Sequence, residues 1–215
     1  MCGVNATLPL FPVKTLKIAA GSTIGIAASG QSRIGSREDQ DFADFNPSFS
    51  MYHTGPATAY LSKAPGELND YNGDGDWFKI AVVPASDGLH WDFNGQAMVS
   101  IMNFTIPAAT PPGKYLLRAE HLNMENGNSY KTTEMYINCV HVEITGSGTG
   151  NPGPVTKFPG AFDAKDPGEL PSKRRVVAML IMMKGIWLPN QLSRPIQPMD
   201  ELKNWQGAGP KVWKG

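Results

Sequence analysis

The fold is decided by a strand-like stretch of sequence, TEMYINCVHVEI, which covers residues 133–144. Successive side chains of a β-strand point to opposite faces. Polar and apolar side chains then separate, with Glu134, Tyr136 and Asn138 on one face and Met135, Ile137 and Cys139 on the other. The stretch therefore predicts a strand with one face in a core and the other face in a site.

The rest of the chain favours further short strands. Its 215 residues are 41% hydrophobic, enough for one sizeable core, and 23 glycines and 18 prolines favour many turns. Strand-like runs such as residues 13–19, 23–29 and 99–106 recur between turns, with no convincing amphipathic helix before residue 170. We expect an all-β protein, built as a β-sandwich.

The charge pattern excludes some partners. Nineteen basic residues balance nineteen acidic ones, so nothing indicates binding to nucleic acid or to an anionic membrane. The apolar run at residues 176–183 is too short to span a bilayer. We therefore expect neither nucleic acid nor a membrane as a partner.

Several features are typical of a secreted chain. Asn5 and Asn103 each begin an Asn-x-Thr acceptor for N-glycosylation. Cys2 and Cys139 lie far apart, and in such a chain they favour a disulfide, with two buried thiols as the alternative. We expect a secreted protein whose signal peptide is missing from this chain.

One acidic loop resembles a calcium-binding motif. Residues 70–76, DYNGDGD, match the front half of an EF-hand loop, but the position of its final glutamate is Ala81. Strand-like residues follow where an EF-hand has a helix, so the interpretation is a glycine-rich turn.

The domain organisation changes near residue 169. We predict a β-sandwich over residues 1–168 and an atypical C-terminal extension over residues 169–215. No turn chemistry links the methionine-rich run at 176–183 to the strands before it. We interpret roughly residues 170–200 as an insertion that is partly non-native, such as an unspliced intron or mispredicted exon.

Several segments, in a shared order, resemble one protein family. They are HTGPATAYL at 53–61, GDWFKI at 75–80, PGKYLLRAE at 112–120, YINC at 136–139, FPGAF at 158–162 and the closing GPKVW at 209–213. Together they are similar to the cellulose-active lytic polysaccharide monooxygenases of fungi, formerly classed as glycoside hydrolase family 61. The resemblance covers residues 1 to about 168 and the closing segment.

The resemblance implies a structure and a copper site. The implied fold is an immunoglobulin-like or fibronectin-III-like antiparallel β-sandwich with long loops, here lacking its first strand. The implied copper ligands in this chain are His53, as the internal histidine, and Tyr136, as the axial tyrosine. Cys2 and Cys139 match the family's disulfide, and the implied partner of this secreted, monomeric enzyme is cellulose or another cell-wall β-glucan.

Three departures from the family lead us to expect impaired chemistry. The N-terminal histidine that completes the copper site is absent, Glu125 aligns with a histidine, and Glu134 aligns with a glutamine. In the family, that histidine and that glutamine position oxygen by donating hydrogen bonds, whereas ionised glutamates can only accept them. We hypothesise that the missing N-terminal residue is basic, such as arginine, and pairs with Glu125 and Glu134.

Three functions follow as alternatives. The first is oxidative cleavage of cellulose or a related β-glucan by a copper enzyme, at C1 or C4 of the sugar. The second is a non-catalytic protein that binds polysaccharide or interacts with cell walls without the histidine pair. The third is a glycosidase with Glu125 and Glu134 as acid and base, which requires a suitable carboxylate separation across a groove.

Overall fold

A computed structural model of the protein describes residues 2, 13–27, 51, 53–87, 90–93, 100–123, 134–162, 204–207 and 209–215. These residues form eight strands and one turn of 3₁₀ helix, Leu68–Asp70. The strands are β1 (Leu16–Ala19), β2 (Thr23–Ala27), β3 (Ala57–Lys63), β4 (Trp77–Val83), β5 (Ile101–Thr105), β6 (Gly113–Asn123), β7 (Glu134–Thr145) and β8 (Val155–Thr156). Across the described ranges, no helix has the length and apolar character needed to cross a membrane.

The strands form two sheets. The larger has the order β1-β7-β6-β3-β4-β8, and the smaller pairs β2 with β5. Every pairing is antiparallel except that of β1 with β7, which is parallel. The prediction of an all-β sandwich is confirmed, with this parallel pair as an exception to the antiparallel pattern.

The main core lies between the two sheets. Ile24, Met102 and Phe104 of the small sheet belong to one buried cluster with Leu117 and Val142 of the large sheet. Side chains of this size each contribute roughly 1.5–3 kcal/mol when fully buried. This cluster holds the two sheets together.

A second, smaller core covers the opposite face of the large sheet. Tyr60, Trp77 and Leu116 pack there with Phe158, which meets the rings of Tyr60 and Trp77 edge to face at 5.1 and 5.7 Å between centroids. Cys139 packs against the same cluster. The large sheet is therefore covered on both faces.

Strand β7 alternates as predicted, but one face has two roles. Glu134, Tyr136 and Asn138 are exposed, while Val142 and Ile144, which share their parity, are buried in the main core. The face expected to carry only a site therefore becomes a core face further along the strand. The face of Cys139 contacts the second core.

The end of the chain packs against β4. The backbone N–H of Trp213 donates to the carbonyl of Lys79 at 2.8 Å, and the Trp213 ring meets Phe78 edge to face at 5.3 Å. The ammonium group of Lys79, a fully buried residue, donates to the carbonyl of Gln206 at 2.9 Å. Residues 204–207 and 209–213 thus help to cover the sandwich, whereas residues 163–203 and 208 lie outside the described residues.

The acidic loop at residues 70–76 forms a local turn. The side-chain oxygen of Asn72 accepts a hydrogen bond from the backbone of Asp74 at 3.0 Å, which is the pattern of an Asx turn. The Lys157 ammonium lies 3.3 Å from a carboxylate oxygen of Asp76 and donates to the carbonyl of Asp74 at 3.0 Å. The Asp76 carboxylate and the Asp74 carbonyl of the loop therefore bind the ammonium group of Lys157.

His141 provides a test of the pH dependence of stability. The residue is 5% exposed, its Nδ1 has no hydrogen-bond partner among the described residues, and burial lowers its pKa from the ordinary 6.5. The unfolded chain therefore binds the proton more readily, so stability from this group is complete above pH 6.5 and is lost as pH falls towards the folded pKa.

We expect His141→Gln to remove this component of the pH dependence. The measurement is the free energy of unfolding in urea at about pH 8 and about pH 5, on either side of the ordinary histidine range. Wild type should lose more stability than the variant between the two conditions. Equal losses in both proteins would contradict the assignment to His141.

Candidate metal and polysaccharide site

The candidate site lies at one end of the large sheet, where β3 begins, β6 ends and β7 begins. The register of β6 and β7 places Tyr136 opposite His121 and Glu134 opposite Asn123. Strand β3 starts beside them, because Ala57 pairs with His121. Strands β3, β6 and β7 therefore place Glu134 and Tyr136 next to the start of β3.

His53 reaches the site through the segment that enters β3. The backbone N–H of Gly55 donates to the carbonyl of Phe93 at 3.1 Å, and the carbonyl of Pro56 accepts from Leu122 at 3.0 Å. These bonds tie the segment to its neighbours on both sides. They hold the half-buried His53 at the end of the sheet.

The rings of His53 and Tyr136 are stacked. Their centroids are 5.5 Å apart and their planes differ by 6°. Tyr136 is 46% exposed. The structure thus brings together both sequence-predicted metal ligands, with the tyrosine ring open to solvent.

A buried histidine lies beside Tyr136. The ring of His121, which is 3% exposed, lies 6.1 Å from that of Tyr136 and 5.5 Å from that of Phe93. The sequence analysis did not assign His121 to the site. Its pairing with Tyr136 in the register is the signal that would have linked it to the site.

Glu134 is held by a hydrogen bond from the neighbouring strand. Its Oε2 accepts from Nδ2 of the buried Asn123 at 2.8 Å and from the Tyr136 hydroxyl at 3.4 Å. The shorter bond has ordinary strength for an amide and a carboxylate. Asn123, which the sequence analysis missed, therefore fixes the carboxylate beside the tyrosine.

The donor set fits copper in part. Imidazole nitrogen is a suitable copper ligand, and a phenol oxygen can act as a weaker one. No group of three or more His, Cys, Asp or Glu side chains suited to a metal occurs within the described portion of the chain. His53 and Tyr136 are therefore two adjacent side chains whose chemistry is compatible with copper.

The five other predicted residues fall in different places. A disulfide joins Cys2 to Cys139, with the Cα atoms 5.3 Å apart, which confirms that pairing. Asn103 is exposed on β5. Glu125 and Asn5 lie outside the described residues, so the carboxylate pair of the glycosidase alternative stays a prediction.

The fold is that of the immunoglobulin-like β-sandwich proteins. The structure is similar to a solved cellulose-active polysaccharide monooxygenase from M. thermophila, with a TM-score of 0.60 and 23% sequence identity, covering 94% of this chain and 76% of that chain. This likeness establishes the immunoglobulin-like sandwich fold.

Sequence comparison defines the family. Auxiliary Activity family 9 (formerly GH61) matches residues 1–175. The AA9 family lytic polysaccharide monooxygenase C of Emericella nidulans is 34% identical over 218 residues, covering 100% of this chain and 74% of that protein. The corresponding enzyme U of Thermothielavioides terrestris is 35% identical over 224 residues, covering 100% of this chain and 72% of that protein. The chain belongs to Auxiliary Activity family 9.

Proposed function

We propose that the protein is a secreted copper-dependent monooxygenase that cleaves cellulose or a related β-glucan, and that Glu134 impairs this activity. The observation that carries the proposal is the near-parallel stacking of the His53 ring on the ring of the exposed Tyr136. In a member of this family, an imidazole and a phenol at the protein surface form part of a copper site.

In this proposal His53 and Tyr136 hold the metal, and copper, when bound, supplies the redox chemistry that activates oxygen. Neutral His53 contributes a ring nitrogen. The Tyr136 hydroxyl donates its proton towards Glu134, which leaves the oxygen lone pairs available. The two side chains thereby define where the reaction centre lies relative to the surface.

Glu134 changes what the site can do. A glutamine at this position could donate a hydrogen bond to a small molecule bound beside Tyr136, whereas an ionised carboxylate can only accept. Asn123 already donates to Oε2 of Glu134 and stabilises the carboxylate there. We propose that the donor required for efficient oxidation is therefore missing.

The same carboxylate supports a second candidate function. A site that retains an exposed tyrosine but lacks the hydrogen-bond donor can still contact sugar rings. The second candidate is a non-catalytic protein that binds cell-wall polysaccharide. Both candidates place the polysaccharide on the exposed side of Tyr136.

Copper titration of the mature secreted protein tests the first proposal. We expect one-to-one binding in wild type and a loss of at least about 100-fold in affinity in His53→Ala, since removing a ligand exceeds the usual 10–100-fold effect of an outer-shell change. The matched control is His90→Ala, because His90 is an exposed histidine bonded to Asp87 at 2.7 Å. Isothermal titration calorimetry gives the dissociation constants.

The outcomes separate the two candidates. Binding that is lost only in His53→Ala supports the copper enzyme. No copper binding in wild type, together with retention on insoluble cellulose, would refute the enzyme and support the non-catalytic candidate.

Glu134→Gln tests the source of the impairment. We expect more oxidised oligosaccharide from cellulose with a reductant than wild type releases, because the amide restores a hydrogen-bond donor beside Tyr136. Mass spectrometry of the soluble products measures the change. Equal or lower product from the variant, at full copper loading, would show that Glu134 is not the cause.

A further inference from the structure

We infer that Asn103 carries an N-linked oligosaccharide, and that this glycan covers the uncharged outer face of the small sheet formed by β2 and β5. The inference starts from the acceptor sequence Asn103-Phe104-Thr105, whose middle residue is compatible with glycosylation. A sequence motif alone does not show whether the amide is accessible. The position of the motif in β5 supplies that evidence.

Alternation along β5 directs the acceptor into solvent. Met102 and Phe104 are 8% and 2% exposed and belong to the main core, while Ile101, Asn103 and Thr105 are exposed. Because neighbouring side chains of a strand point to opposite faces, anchoring Phe104 in the core fixes Asn103 on the outside. Both recognition residues of the motif therefore lie on the outer face.

The residue opposite Asn103 has no side chain of its own. Asn103 pairs with Gly25 of β2. A Cβ at Gly25 would lie 3.0 Å from Oδ1 of Asn103 and 3.0 Å from Cγ2 of Ile101, closer than ordinary contact. The Asn103 and Ile101 side chains thus occupy the space above Gly25, where β2 contributes no side chain.

The outer face of this sheet has no charge of its own. Its six positions are taken by small, hydroxyl, amide and aliphatic residues: Thr23, Gly25, Ala27, Ile101, Asn103 and Thr105. Ile101 is 40% exposed. Among the described strands, β2 and β5 pair only with each other, so each is an edge strand. Edge strands without charges are prone to intermolecular pairing, which proteins usually prevent with charges or prolines. A hydrated oligosaccharide on Asn103 serves the same purpose.

Attachment of the oligosaccharide takes place in the secretory pathway, so the inference rests on the proposed secretion. The co-reactant is an oligosaccharide linked through its anomeric carbon to a lipid diphosphate. Nδ2 of Asn103 forms a bond to that carbon, and the bond from the carbon to the diphosphate oxygen breaks. The lipid diphosphate leaves with the electron pair, and the amide loses one proton.

Secretion of the full chain from a yeast host, followed by peptide mass spectrometry, tests the modification. Enzymatic release of the glycan converts the modified asparagine to aspartate and so marks the residue. We expect the mark at Asn103 in wild type, in Asn5→Gln and in Thr105→Ser, which keeps the acceptor sequence. An unmodified Asn103 peptide from wild type would overturn the inference.

Comparing secreted variants tests the covering role. We expect Asn103→Gln to show an aggregated fraction about twofold or more above that of Thr105→Ser after concentration, with an unchanged urea midpoint, because the uncovered face favours association. Asn103→Asp, which lacks the glycan but adds a charge, should aggregate less than Asn103→Gln. Equal aggregation of Asn103→Gln and Thr105→Ser would overturn the covering role.

Discussion

Replacing both Cys2 and Cys139 with serine is expected to lower the free energy of unfolding by about 3–5 kcal/mol, the range for a disulfide that closes a long loop. The two residues are 137 positions apart. In the chain-entropy account, a cross-link over so long a span restricts the unfolded chain strongly. The double variant avoids the unpaired thiol that a single substitution would leave.

The disulfide also attaches Cys2 to strand β7. Cys139 lies on β7, three residues beyond Tyr136, and packs against the second core. The disulfide therefore attaches Cys2 to the strand that carries Tyr136.

Urea unfolding of oxidised wild type, reduced wild type and the double variant provides the test. The reduced protein and the double variant should unfold at similar urea concentrations, well below the oxidised protein. A loss of less than about 1 kcal/mol would fall below the typical disulfide contribution of about 2–4 kcal/mol and would contradict a major role for this bond.

The sequence predicts the strands well because their signals are local. Alternation, turn residues and family motifs all act within a few positions, and they placed β7 and the all-β class correctly. The identity of the core face on β7 depends instead on what lies across from it. Strands β6 and β7 have 11 and 12 residues, whereas β2 and β5 have five each.

This difference in length explains the double role of one β7 face. Where β7 lies across from the small sheet, Val142 and Ile144 are buried in the main core. Towards the other end of β7, the same face exposes Tyr136. The candidate site therefore lies at the end of the long sheet away from this core, a relation that no local pattern encodes.

The site itself was predictable only where a motif marked it. His53 and Tyr136 follow from segments that resemble the family, and the structure brings their rings together. Asn123 and His121 were missed because their link to Glu134 and Tyr136 depends on the pairing register of two strands. Register across a long connection is not fixed by local sequence.

Glu120→Ala is expected to destabilise the protein by about 3–5 kcal/mol, the usual cost of removing one partner of a buried ion pair. Arg118 and Glu120 are 4% and 0% exposed. Nη2 and Nε of Arg118 lie 2.6 and 2.7 Å from the same carboxylate oxygen, and Thr58 donates to the other oxygen at 2.7 Å. The variant leaves the Arg118 charge buried without this partner.

A matched control is available on the surface. Lys17 and Glu143 form an exposed pair at 3.5 Å between nitrogen and oxygen. Glu143→Ala should change stability by no more than about 1 kcal/mol, because solvent screens exposed pairs. Urea unfolding measures both variants, and a similarly small effect of Glu120→Ala would contradict the importance of its burial.

The double variant Arg118→Leu with Glu120→Leu separates the effect of losing the ion pair from the effect of leaving one buried charge without a partner. Two apolar side chains leave no buried charge, so we expect the double variant to be more stable than Glu120→Ala. The double variant also loses a second contact, because the Arg118 guanidinium stacks on Phe158 at 4.0 Å from the ring centroid. If the double variant is as unstable as the single one, packing of arginine on Phe158 dominates. If the double variant is more stable than Glu120→Ala, the instability of Glu120→Ala comes from the unpaired charge of Arg118. The ion pair would then matter chiefly because each buried charge has its partner.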